Sequence, residues 1–337
     1  MQKIPIVSLN CDELTEKLEL KQKFRAKQIF KWISGGVTSF DQMTNLSLDL
    51  RAELNEKAIL RSSTISKKLI DPDGTVKLQI KLSDDSCIEC VLLLDKKGRK
   101  TACVSCQVGC AMKCAFCKTG TLGFKRNLEA YEIIEQFLFL EKECGKLDNI
   151  VFMGMGEPML NLTEIRKAIA ILSDENGRNL STRRITLSTC GIIKGIYDLA
   201  DNGPKIRLAV SLTTANPELR EELMPVAKTN PLPELKKAIQ YFAKTTGKRC
   251  TLEAALIGKV NTDKKSAENM INFARNMDVM INLIPWNPVS ELDFTEPSKS
   301  ECDAFYKELE RAGLKITFRA RKGKKIGGAC GQLGKVN

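Results

Sequence analysis

The chain has 337 residues, 43% of them hydrophobic, and carries 53 lysines and arginines against 41 aspartates and glutamates, a net charge of +12. That is length enough for two domains and the content of a soluble globular protein, and the basic surplus favours a polyanionic partner. No histidine occurs, so Ser-His-Asp and Cys-His catalysis are excluded, and proton transfer falls to carboxylate, lysine, tyrosine, thiol or water.

Residues 1–62 read as a helical accessory domain. Apolar spacing predicts helices over 13–20, 25–33 and 49–60, with Gly35-Gly36 closing the second. Lys21, Lys23, Arg25, Lys27 and Lys31 gather charge near Phe24, Phe30 and Trp32; a core stripe backed by a solvated face accounts for each aromatic taken alone. Residues 63–98 read as a short antiparallel β extension, with runs at 66–70 and 76–82 joined by the turn Asp71-Pro72-Asp73-Gly74.

From 99 to 337, seven candidate strands (102–108, 149–153, 184–188, 206–211, 251–256, 280–284 and 315–319) alternate with helices such as 128–143 and 232–245. Alternation of this kind gives parallel strands and an α/β fold. A complete eight-stranded barrel takes about 250 residues, more than this region holds, so a partial (β/α)6 TIM-type barrel is expected, with functional groups at the carboxyl ends of its strands. No stretch approaches the ~18 apolar residues of a membrane span and no signal-like start is present. The thirteen cysteines are odd in number and scattered, which predicts a cytoplasmic protein whose cysteines serve as thiols, ligands or catalysts.

Cys110, Cys114 and Cys117 form a Cys-x3-Cys-x2-Cys set in a loop after the first strand. An iron–sulfur cube normally takes four thiolates, so three leave one iron open to a reactive ligand. Zinc is the rival, completed by Cys103 or Cys106; plain burial fits poorly beside Lys113, Lys118 and Gly120. Gly154-Met155-Gly156-Glu157-Pro158 follows the next strand, where glycines let a ligand approach and Glu157 offers charge to an ammonium; alone it is also an ordinary turn. Cys87 and Cys90 make a lone Cys-x2-Cys, more simply two residues of a half-buried strand.

The cysteine spacing is that of radical S-adenosylmethionine (SAM) enzymes. With Gln107-Val108-Gly109-Cys110, Phe116-Cys117 and Gly123-Phe124-Lys125-Arg126-Asn127-Leu128 it resembles the RlmN/Cfr family of RNA adenine methyltransferases. The resemblance implies one 4Fe-4S cluster on Cys110, Cys114 and Cys117, and SAM contacts at Gly156, Glu157, Ser188, Ser211, Leu212, Thr213 and Asn287. It makes Cys330 the methyl-carrying cysteine, Cys103 its resolving partner in a transient disulfide, and Glu89 the proton acceptor. Two departures stand out: Thr213 replaces a usual histidine, and Lys324, Lys325, Ile326 and Gly327 replace an acidic stretch. Cys11, Cys87, Cys90, Cys106, Cys144, Cys190, Cys250 and Cys302 receive no role.

Carbon 2 of adenine is not nucleophilic, so direct attack on a SAM methyl is closed and a radical route is expected. One SAM methylates Cys330 and a second is cleaved reductively at the cluster. A carbon radical on the S-methyl group adds to the ring, Glu89 removes the ring proton, and Cys103 attacks Cys330 to release product by thiol exchange. Pro285-Trp286 resembles the carbon-2 branch rather than the carbon-8 branch. The implied substrates are 23S rRNA in the peptidyl-transferase centre and tRNA at the adenosine 3′ of the anticodon. Residues 23–33 are similar to the family's RNA-contacting helical domain, and Lys315, Arg319, Arg321, Lys322, Lys324 and Lys325 offer phosphate contacts. An external one-electron donor of flavodoxin or ferredoxin type and a monomeric state are expected. The rival from another class is a non-enzymatic zinc RNA-binding protein.

Overall fold

The computed structural model describes residues 3–334. A short strand β1 (Ile4–Pro5) opens the chain, followed by helices α1 (Cys11–Lys17), α2 (Lys23–Ser34) and α3 (Leu48–Lys57) and a strand β2 (Ala58–Ile59). Asn10 and Glu13 close a reciprocal capping box on α1, satisfying amides that the first turn leaves without partners. Ala26, Ile29, Phe30 and Ile33 form the buried stripe of α2, which ends at Gly35. The parallel pairing of β1 with β2 ties the start of this unit to its end; two residues per strand gave the sequence no periodicity to read.

Strands β3 (Thr64–Ile70), β4 (Val76–Lys81) and β5 (Cys87–Leu94) form the antiparallel extension. Its first turn is closed by the Gly74 amide donating to the Asp71 carbonyl at 2.9 Å, with Gly74 at φ +83°, a conformation glycine adopts at no steric cost. The extension is not a detached linker. β5 pairs antiparallel with β6 (Lys100–Cys103), and β6 starts the parallel run, so extension and barrel are one ten-stranded sheet.

After β6 come a hairpin of β7 (Gln107–Gly109) and β8 (Phe124–Asn127) around the short helix α4 (Lys118–Thr121), then α5 (Ala130–Cys144), β9 (Asn149–Phe152), α6 (Leu162–Ser173), β10 (Ile185–Thr189), α7 (Ile193–Asn202) and β11 (Arg207–Ser211). The chain continues through α8 (Pro217–Leu223), α9 (Leu232–Thr246), β12 (Cys250–Leu256), α10 (Lys264–Ala274), β13 (Val279–Pro285), α11 (Lys299–Arg311) and β14 (Lys315–Phe318). Strands β6, β9, β10, β11, β12, β13 and β14 are all mutually parallel. The partial barrel is therefore present with a seventh strand on its edge, and all seven sequence-predicted positions carry a strand.

The expected strand over 102–108 is broken. Val104 still donates to Val151 at 3.0 Å, but the chain then leaves the sheet, and Gln107–Gly109 pairs with Phe124–Asn127 instead. Alternation alone cannot tell a strand that changes partners from one that continues. Where the sheet ends, Arg319 Nη1 lies 3.5 Å from the Met153 sulfur, so the last strand curls back toward β9. One apolar core runs from Ile6 to Leu333. Glu135 of α5 anchors the junction with the helical unit by accepting from the amides of Ser62 at 2.7 Å and Ser63 at 3.0 Å.

Candidate active site

The β7–β8 hairpin brackets the loop that carries Cys110, Cys114 and Cys117. Cys110 N donates to Gly123 O at 2.7 Å, closing the loop at its base. A Cβ on Gly109 would lie 1.9 Å from that same Gly123 oxygen, so only glycine fits. Three further bonds fix the loop from other elements. Ala115 N donates to Leu223 O of α8 at 2.9 Å, Trp286 Nε1 to Phe116 O at 2.8 Å, and Lys118 N to Gly331 O at 2.8 Å.

The three thiols border one cavity, together with Gly156, Glu157, Ser188, Ser211, Asn287 and Cys330. Burial pushes the Cys110 thiol up to about 11 and the Cys114 thiol further still. Among the described residues no three His, Cys, Asp or Glu side chains are gathered about a single ion position; the thiols line a shared wall.

Glu157 begins the turn after β9 and is buried. Its oxygens accept from Met159 N at 3.0 Å and Cys190 N at 2.8 Å. Burial pushes its carboxyl up, against the pull of those donors. Among the described residues no lysine or arginine is bonded to it, so a buried carboxylate faces the cavity with room for a cation. Asn287 donates to Cys330 O at 3.1 Å, while its Oδ1 is buried without a partner. Ser188 Oγ donates to Glu253 at 2.9 Å.

Leu212 and Thr213 stand apart from this wall. Both are buried, and their amides donate to Glu253 O at 2.9 and 3.0 Å. Thr213 sits at φ +60° with its carbonyl accepting from Asn261, so its position is defined by backbone bonds.

Cys103, at the end of β6, and Cys330 line a second, smaller pocket with Met153, Asn287, Arg319 and Leu333. Burial raises the Cys103 thiol to about 12, with Arg319 opposing, and the Cys330 thiol to about 11. Cys330 itself is exposed and lines both cavities.

Glu89 borders neither cavity. Its Oε1 pairs with Lys77 Nζ at 2.8 Å, both side chains at most 5% exposed, and its Oε2 accepts from Gly334 N at 2.7 Å. Lys77 also reaches Gly327 O at 3.3 Å. The C-terminal segment thus lies over Glu89, pinned further by Thr119 Oγ1 to Leu333 O at 2.7 Å and Gln332 Nε2 to Pro288 O at 2.7 Å.

Sequence reasoning missed three wall or wall-backing residues. Cys190 lines the cavity, Glu253 links Ser188 to Asn282 and to Arg319 at 3.9 Å, and Arg220 lies behind Cys190. The available signal was charge inside an apolar strand, Leu252-Glu253-Ala254.

A model of the radical SAM superfamily matches residues 104–272, and one described as the ribosomal RNA large subunit methyltransferase N-terminal domain matches residues 8–60. A protein of Treponema denticola named "Probable dual-specificity RNA methyltransferase RlmN" is 61% identical over 323 residues, covering 96% of this chain and 93% of that protein. The chain belongs to the RlmN family. A relative of the same name in Treponema pallidum is 52% identical, covering 96% of each chain. The crystal structure of a radical SAM methyltransferase from Sphaerobacter thermophilus superposes with a TM-score of 0.94 at 38% identity, covering 98% of this chain and 99% of that one.

The cofactors of an RlmN family chain with this fold are a 4Fe-4S cluster and SAM. The residues present fit both. Three loop thiols without a histidine among them suit iron–sulfur ligation, the unpaired buried Glu157 suits an ammonium, and the orphaned Asn287 Oδ1 awaits a donor. No helix among the described residues is long and apolar enough to cross a membrane.

Proposed function

We propose that this chain methylates carbon 2 of adenosine in RNA, taking as substrates 23S rRNA at the peptidyl-transferase centre and tRNA at the adenosine 3′ of the anticodon. The observation that carries this reading is one cavity wall shared by the three loop thiols and a fourth, separate cysteine, Cys330. A cluster loop needs the first three; a methyl carrier explains the last.

Cys110, Cys114 and Cys117 would hold the cluster, with Glu157 receiving the ammonium of SAM and Asn287 its remaining polar groups. When bound, the pair supplies one-electron cleavage of a sulfonium and removal of a hydrogen atom from a methyl group. Cys330 accepts a methyl group by displacement and carries it to the ring. Cys103 shares a pocket with Cys330 and attacks its sulfur, forming the disulfide that releases methylated RNA. Glu89 takes the ring proton, which requires the Gly334 amide to leave Oε2 first. Leu212 and Thr213 support SAM through backbone placement. Basic side chains of α2 (Lys23, Arg25, Lys27, Lys31) and Lys315 of the last strand hold phosphate.

An external one-electron donor of flavodoxin or ferredoxin type, a monomeric state and a cytoplasmic setting complete the proposal. Anaerobically reconstituted protein is expected to be brown, with iron and sulfide. Mass spectrometry of rRNA and tRNA from a deletion strain should show loss of 2-methyladenosine, restored by the gene. Loss of 8-methyladenosine instead would assign the carbon-8 activity; colourless protein holding one zinc would assign the RNA-binding rival.

A further inference from the structure

Arg220 of α8 has no exposed surface and is the largest of the fully buried side chains. A charge in that position needs a partner of opposite sign to offset its desolvation. Its guanidinium donates to Cys190 O at 2.9 Å and lies 3.5 Å from both Ser211 O and the Met224 sulfur. Its Nε has no partner, and among the described residues no carboxylate pairs with it. Three neutral acceptors do not explain a buried cation, since an amide would serve them as well.

The surroundings are built for this side chain. Gly191, at φ +104°, leaves the space it fills: a Cβ there would meet Arg220 Nη2 at 3.0 Å. The same helix binds the cluster loop through Leu223 O and Ala115 N, and Leu223 and Met224 pack against Met112, Cys114, Ala115 and Phe116. The guanidinium touches Cys190 and Met224, which share the cavity wall with Cys110, Cys114 and Cys117. Arg220 therefore backs the wall that becomes anionic once Cys114 and the other two loop thiols act as ligands. Arg220 lines neither cavity, so it reaches neither SAM nor RNA.

We propose that Arg220 is a positioning residue acting as the fixed countercharge of the cluster loop, making the cluster bound there easier to reduce. The proposal rests on the reading of Cys110, Cys114 and Cys117 as cluster ligands. Reduction adds one electron from the external donor and no proton, so a buried positive charge favours the reduced form directly. A purely structural arginine would leave the potential unmoved.

The test is the midpoint potential of the reconstituted full-length protein, followed by electron paramagnetic resonance under graded reductant, in wild type, Arg220→Met and Arg220→Lys. Arg220→Met is expected to hold about tenfold less reduced cluster at a fixed potential, about 59 mV for a one-electron couple, and Arg220→Lys to recover most of it. Should Arg220→Met not fold, Arg220→Gln keeps an amide donor for Cys190 O and carries the same comparison. Equal potentials in wild type and neutral variant overturn the proposal. So does failure of both neutral variants to fold while cluster-free Arg220→Lys folds, which would make the charge a need of the protein alone. A wild type that assembles no cluster refutes the ligand reading itself.

Discussion

Replacing Lys77 by methionine removes one partner of the most deeply buried ion pair near the site. The Lys77 and Glu89 charges lie 2.8 Å apart, an attraction of about 6 kcal/mol at an effective dielectric constant of about 20. Desolvation of both groups offsets part of this, and breaking such a pair from one side costs about 3–5 kcal/mol because the other charge stays buried alone. In Lys77→Met the Gly334 amide still serves the Glu89 carboxylate, with no cation beside it. Guanidinium denaturation of the cluster-free protein should show a lower midpoint with an unchanged slope. The double variant Lys77→Met/Glu89→Gln, which leaves no bare charge, should recover at least about 2 kcal/mol relative to the sum of the single losses. Single losses that simply add, or a Lys77→Met cost below about 1 kcal/mol, would refute the reasoning.

Raised thiols give the pH dependence a defined sign. Cys103 is held near 12 and Cys110 near 11 by burial, so the folded chain keeps these protons longer than the unfolded one. Their contribution is complete below the ordinary thiol value of about 8.5 and is lost as pH rises from there toward 11–12; the denaturation midpoint of cluster-free protein should fall between pH 8 and 10, and a flat profile would contradict it. Cys103→Ala should accumulate RNA covalently attached to Cys330, visible as a shifted band on denaturing gels, while Cys330→Ala should still cleave SAM but transfer no methyl. Glu157→Gln should weaken SAM binding about 10–100-fold by calorimetry, because the amide loses the charge and can accept at only one atom.

The architecture was legible wherever one residue's type decides a local rule. Gly35 ends α2 and Gly74 closes its turn as read, and each of the seven parallel strands was visible as a short apolar run between helical patterns. The cysteine loop was legible because its spacing is itself the geometric constraint. What stayed hidden depends on residues brought together from far apart. Lys77 meets Glu89 only through the β4–β5 register, in which Glu89 lies opposite Gln79 and Lys77 opposite Val91. Gly334 reaches Glu89 across 245 positions of sequence. Arg220 is one of 53 lysines and arginines, and nothing local in the sequence marks it as one with no surface. The break after Cys103 was invisible because Gln107–Gly109 keeps its strand pattern while changing its partner.

Since β3 to β5 continue the hydrogen-bond ladder into β6 without interruption, the helical unit in front of them is bolted to the catalytic mouth rather than tethered to it. Under the proposed function, RNA gripped by those helices would be held at a set span from Cys330, making reach a criterion for choosing a target. Cutting the chain after residue 98 would strip a neighbour from β6 and bare an unpaired edge, and the fragment would be expected to associate through that edge instead of standing as a smaller enzyme.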